Sequence, residues 1–236
     1  MQAPGETEVL ALWERGLVRH PIDRALLLCA CARPDLPPSR FPDLPLGAIN
    51  RALLRLRETC FGPRINAWVD CEYCGERMEI TLDTGQLLAG VNEQDTPAEF
   101  EISNHRFRVP CNRDLAAITV ERDIKKAAVK LLEHCCLSHQ DNTSLDFAGI
   151  LAEAETIMAN LDPDADINLA LTCEDCGESW LAGLNIGTLL WDEIDVHARS
   201  LLAEVHSLAR AYGWTESDIL ALSTQRRSAY LDMVGI

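Results

Sequence analysis

One stretch of this chain occurs twice. Ile65-Asn66-Ala67-Trp68-Val69-Asp70-Cys71-Glu72-Tyr73-Cys74-Gly75-Glu76 returns as Ile167-Asn168-Leu169-Ala170-Leu171-Thr172-Cys173-Glu174-Asp175-Cys176-Gly177-Glu178. The agreement continues at the same offset through Leu82/Leu184, Gly85/Gly187, Leu87/Leu189 and Leu88/Leu190. It therefore covers a unit rather than a lone motif, and we read a duplicated half-site.

Each copy runs from an apolar strand into Cys-x-x-Cys-Gly, then a second short strand, then a Leu-Leu pair that opens a helix. Two cysteines three apart face one ion if the chain turns tightly between them, and the following Gly75 or Gly177 supplies the positive φ of such a turn. Two knuckles together offer four thiolates, Cys71, Cys74, Cys173 and Cys176. A tetrahedral set of four thiolates is the closed, structural kind of Zn2+ site, without the open position that a catalytic zinc needs. One zinc per chain is the expectation. Two rival readings stay open: a redox dithiol, which expects one motif at a helix N-terminus, and a rubredoxin-like iron centre, which uses the same ligands.

Charge and composition narrow the setting. The 236 residues carry a formal net charge of −16, and a phosphate-binding face needs clustered Lys and Arg, so neither nucleic acid nor an anionic membrane is expected as partner. Hydrophobic residues make up 47%, enough for a real core. No apolar run approaches a membrane span, and the N-terminus lacks the pattern of a secretory signal. The expected location is cytoplasmic. The other cysteines, Cys29, Cys31, Cys60, Cys111, Cys135 and Cys136, read mostly as small core residues.

Periodicity predicts an α+β chain, mainly helical. Helices are expected over Glu6–Val18, Ile22–Ala32, Leu46–Cys60, Asp114–Cys136, Phe147–Leu161 and Thr188–Tyr212. Pro34–Pro45 reads as an extended connector. Phe100–Ile102 and Phe107–Val109 alternate around a polar turn as a second hairpin. In the helix from Leu46, the arginines Arg51, Arg55 and Arg57 read as a solvated face. Gly213 stops the long helix, Thr215 with Asp218 and then Ser223 cap two short ones, and a C-terminal hook results. The segments are 1–61 (helical), 62–110 (first zinc knuckle and second hairpin), 111–163 (helical insertion), 164–187 (second knuckle) and 188–236 (long helix and hook), the two knuckles forming one zinc ribbon.

Catalytic signatures are missing. There is no Gly-x-Ser-x-Gly, His-Glu-x-x-His or phosphate-binding Gly loop, and the histidines (His20, His105, His134, His139, His197, His206) are scattered. His134 and His139 beside Cys135 and Cys136 suggest a second metal site, but on a continuing helix the two rings point about 140° apart. No enzyme and no small-molecule substrate is expected.

The ending carries a resemblance. His206-Ser207-Leu208-Ala209-Arg210-Ala211-Tyr212-Gly213-Trp214-Thr215-Glu216-Ser217-Asp218-Ile219-Leu220-Ala221-Leu222-Ser223, followed by Arg226-Arg227 and Tyr230-Leu231, resembles the tail of baseplate hub and hub-assembly proteins of contractile-tailed phages and of phage-tail-like contractile injection systems. Gly62-Pro63-Arg64, the two knuckles and Leu190-Trp191-Asp192-Glu193-Ile194-Asp195 are similar to that wider set. The resemblance implies a structural or assembly-chaperone role, with a baseplate hub or other tail protein as partner. It places partner contacts at Tyr212, Trp214, Arg226, Arg227 and Tyr230, and adds the tail particle as a second location beside the bacterial cytoplasm. The zinc knuckles depart from the small phage proteins, which leaves open whether the chain joins the finished particle.

Overall fold

The computed structural model describes residues 3–88, 95–138 and 145–235. The fold is α+β. Helices α1 (Glu6–Leu17), α2 (Pro21–Ala32) and α3 (Leu46–Phe61) precede a hairpin of β1 (Arg64–Asp70) and β2 (Arg77–Asp83). A four-residue α4 (Thr84–Leu87) follows, then a hairpin of β3 (Glu99–Ile102) and β4 (His105–Arg108). Helices α5 (Asn112–Ile118), α6 (Ile124–Cys135) and α7 (Phe147–Leu161) lead to a third hairpin, β5 (Asn168–Thr172) and β6 (Ser179–Gly183). Helices α8 (Ile186–Tyr212), α9 (Glu216–Leu220) and α10 (Thr224–Met233) end the chain.

The main core lies between α1, α2, α3 and the start of α8, where Leu28, Leu53, Leu54, Leu56, Ile186 and Leu190 lose essentially all contact with water. Pro21 opens α2 at a position where the missing N–H costs nothing, and the apolar composition of that helix is explained by its place against both α3 and α8. Ile65 is fully buried in the same core, and Leu82, Ile167 and Leu184 pack against it. Both copies of the repeat are thus rooted in one helical body, with their knuckles at the far ends. A second core joins Ile102 and Phe107 of the middle hairpin to Leu132 of α6 and Ala154 of α7. That hairpin turns through Ser103 and Asn104, with φ of 51° and 63°, the left-handed pair of a tight two-residue turn.

Several expectations need correction. The helix expected over Asp114–Cys136 is two helices, because Asp123 takes the Lys126 amide at 3.1 Å and so caps a new helix instead of continuing the old one. Ile124 stands at helical spacing from Ala128, Leu131 and Cys135, the pattern of a core stripe, yet it is 85% exposed. The proline-rich connector contains a 3-10 turn, Pro38–Asp43, that buries Phe41. Arg51 and Arg57 are not a solvated face: both are buried, Arg51 against Asp164 at 2.8 Å and Arg57 against Glu193 at 2.7 Å. Cys31 is exposed and Cys60 half-buried, while Cys29, Cys111, Cys135 and Cys136 lie in the interior.

Candidate metal centre

The two knuckles are built alike. In the first, the Cys71 N–H donates to the Glu76 carbonyl at 2.8 Å and the Gly75 N–H to the Cys71 carbonyl at 2.9 Å. In the second, Cys173 donates to Glu178 at 2.9 Å and Gly177 to Cys173 at 3.0 Å. Gly75 and Gly177 sit at φ of 77° and 75°, and a side chain at either would touch nothing within 4 Å. Glycine is required there by backbone conformation and not by crowding.

The registers of the two hairpins correspond, with Val69 opposite Met78 and Leu171 opposite Trp180 beside their cysteines. These inner faces pack on one another around Cys71 and Cys173, which are 3% and 1% exposed. Cys74 and Cys176 are on the outside. Across the interface, Cys71 Sγ lies 3.7 Å from Cys176 Sγ, and Cys74 Sγ lies 3.7 Å from Cys173 Sγ. All four sulfurs fall within 4.8 Å of one another. Zinc–sulfur bonds of about 2.3 Å make the edge of a tetrahedron about 3.8 Å, whereas a disulfide needs about 2.05 Å. The four sulfurs are therefore spaced to bind a metal ion, and the donor set is compatible with zinc. The two short approaches both cross from one motif to the other, and both motifs end strands, which is not the arrangement of a helix-borne dithiol.

Electrostatics at the sulfurs separate them. Burial opposes ionisation of Cys71, but the backbone N–H groups of Cys74 and Tyr73, together with the thiols of Cys74 and Cys176, outweigh it and hold the thiol down to about 7. At Cys74 the Glu76 amide favours the thiolate, yet burial and the sulfurs of Cys173, Cys176 and Cys71 push it up to about 12. Four thiolates cannot gather without a cation between them. A divalent metal supplies that charge and releases protons as it binds.

Trp180 was not singled out by its sequence, yet it closes the site. It is 9% exposed, meets Tyr73 edge-on at 6.4 Å, and shields the inner pair of cysteines from one side. The alternation of Trp180 with Ala182 along β6, with Leu171 opposite on β5, is the sequence signal that could have found it.

The residues assigned to partner contact divide. Tyr212, Trp214 and Tyr230 form one aromatic cluster, with Trp214 stacked on Tyr212 at 4.7 Å and edge-on to Tyr230 at 4.9 Å. Tyr212 is 38% exposed, and Arg226 is exposed. Arg227 is not available to a partner. It is 2% exposed and grips Glu204 at 2.5 Å and Glu6, because α10 folds back on both α1 and α8. His134 is exposed and His139 lies outside the described residues; among those described, no other cluster of three or more His, Cys, Asp or Glu reaches metal-binding distance. No helix among them is long and apolar enough to cross a membrane. No protein-family model, curated protein or solved structure matches the chain.

Proposed function

We propose that this chain is a non-enzymatic structural or assembly protein of a contractile tail or contractile injection baseplate, pinned by one structural zinc on Cys71, Cys74, Cys173 and Cys176. The observation that carries the zinc reading is the convergence of four thiols within 4.8 Å, with both cross-motif approaches near a tetrahedral edge, from two knuckles far apart in sequence. A closed set of this kind holds two segments together and offers no position to a substrate. The tail role rests on the resemblance of residues 206–231. It is supported by the aromatic cluster of Tyr212, Trp214 and Tyr230, the kind of anchor that dominates protein interfaces, with Arg226 exposed on the same hook.

Elemental analysis of natively purified protein tests the metal: one zinc per chain is expected, and a red iron centre or no metal at all rejects it. The tail role is tested by complementation in cells carrying a contractile-tail gene cluster. Arg226→Glu should cut particle yield severely while zinc content and helicity stay as in the wild type. Full yield from that variant together with failure of the tagged wild type to retain any tail protein would overturn the reading.

A further inference from the structure

Two surfaces of opposite charge, each with an apolar face, lie in different parts of the molecule. The first is a groove of about 640 Å³ between β2 of the first hairpin and β5 of the second. Half-buried Met78, Ile80 and Leu171 line it. Glu76, Glu79, Glu174 and Asp175 are exposed along the same groove, and none of these carboxylates has a cationic partner among the described residues. Arg77, the one cation of the lining, is taken by Asp70 at 2.8 Å.

The link between α5 and α6 is the converse. Val120 and Ile124 are each 85% exposed. All three lysines of the chain, Lys125, Lys126 and Lys130, fall in the first two turns of α6. The acids of the link are already engaged, since Asp123 caps α6 and Glu121 holds Lys130 at 2.6 Å. Arg122, Lys125 and Lys126 are exposed and have no carboxylate partner among the described residues. Bare aliphatic side chains gathered beside unpaired cations mark a surface that a partner covers, and the lysine stems extend its apolar area. Within one chain the two surfaces are apart: α6 packs on α5 and α7, whereas the groove lies at the knuckles.

We propose that the groove receives the α5–α6 link of a second copy of this chain. Val120 and Ile124 seat against Met78, Ile80 and Leu171, and the cations of Arg122, Lys125 and Lys126 face the carboxylates of the groove. Charge selects this register. With a net charge of −16, most of the chain's surface is repelled from an acidic groove, and the lysine-bearing link is attracted to it. Two different patches meet, so every copy offers both a ridge and a groove. The contact uses neither the hook nor the thiols and does not rest on the tail role.

The test is sedimentation velocity of the full chain under reducing conditions at about 0.15 M salt, where repulsion between the net charges is screened beyond about 8 Å. A contact of this small size holds in the micromolar range, so the wild type should pass from monomer to dimer or larger species between about 5 and about 500 µM. Lys125→Glu with Lys126→Glu spoils the ridge, and Glu79→Lys with Glu174→Lys spoils the groove. All four side chains are exposed, and each double variant should keep its helicity and stay monomeric over that range. An equimolar mixture of the two should associate again, because an intact ridge then meets an intact groove. Wild type that stays monomeric up to about 500 µM, association retained by either variant alone, or a mixture that fails to associate overturns the proposal.

Discussion

A guanidinium buried between two carboxylates, as Arg227 is between Glu6 and Glu204, ties the last helix to the first and to the longest. The carboxylates keep 22% and 29% of their side-chain exposure, so the pair is only partly desolvated. Removing the cation from such a site costs less than the about 3–5 kcal/mol of a fully buried pair. Arg227→Met should therefore lower unfolding free energy by about 2 kcal/mol, seen as a shifted urea midpoint at unchanged slope. Asp114 makes a pH-dependent contribution of definite sign. Burial acts to raise its carboxyl, but Arg108, at 2.6 Å, and the Cys111 amide hold it below the ordinary 3.8. A depressed carboxyl stabilises the fold above that value and loses the contribution as pH falls through the folded value. The melting temperature of Asp114→Asn should lie below that of the wild type at neutral pH, with the gap closing below about pH 4. A gap that stays constant down to pH 2.5 would contradict the assignment. Asp162 acts in the opposite sense: burial outweighs the Gly47 amide and raises its carboxyl, so the ionised form becomes a burden as pH rises above 3.8.

Helix α8 shows what is written locally in the sequence. Its stripe of Leu190, Ile194, Leu201, Val205 and Leu208 is buried as the spacing requires, and Gly213 ends it at φ 70°. Gly213→Ala should cost about 1 kcal/mol through that left-handed residue alone, measured by denaturant unfolding, since no neighbour crowds the position. The caps at Thr215 and Ser223 and the extent of α7 were equally legible, because capping side chains and apolar spacing act within a few residues. The repeat likewise exposed both knuckles and all four clustered cysteines. Most of what sequence did not reveal depends on partners distant along the chain. Arg51 and Arg57 look like surface residues until Asp164 and Glu193 arrive to pair with them. The break between α5 and α6 turns on Asp123, whose carboxylate could serve equally as a cap or as a solvated helix residue. Arg227 was assigned outward for the same reason, as Glu6 sits at the opposite end of the sequence.

On the scale of the whole molecule, the helical body and the cysteine centre are held by different means. The body has a continuous core of α1, α2, α3 and α8, to which each hairpin contributes its root residues. The knuckle end has only a small cluster of Cys71, Cys173, Trp180 and their neighbours, too few apolar groups to order two hairpin tips in water. A metal bridging Cys74 and Cys173 joins positions 99 residues apart, and a cross-link over such a span restricts the unfolded chain by about 4–5 kcal/mol. Chelation should therefore lower the melting temperature strongly. Its structural effect should stay local, because the roots of both hairpins remain packed in the helical body. Hydrogen exchange after treatment with a zinc chelator should show lost protection from Val69 to Met78 and from Leu171 to Trp180, with α3 and α8 still protected and helical circular dichroism nearly unchanged. Cys173→Ser should reproduce that pattern without chelator. If α3 and α8 lose protection together with the knuckles, the metal organises the entire fold and the two-part account of its stability is wrong.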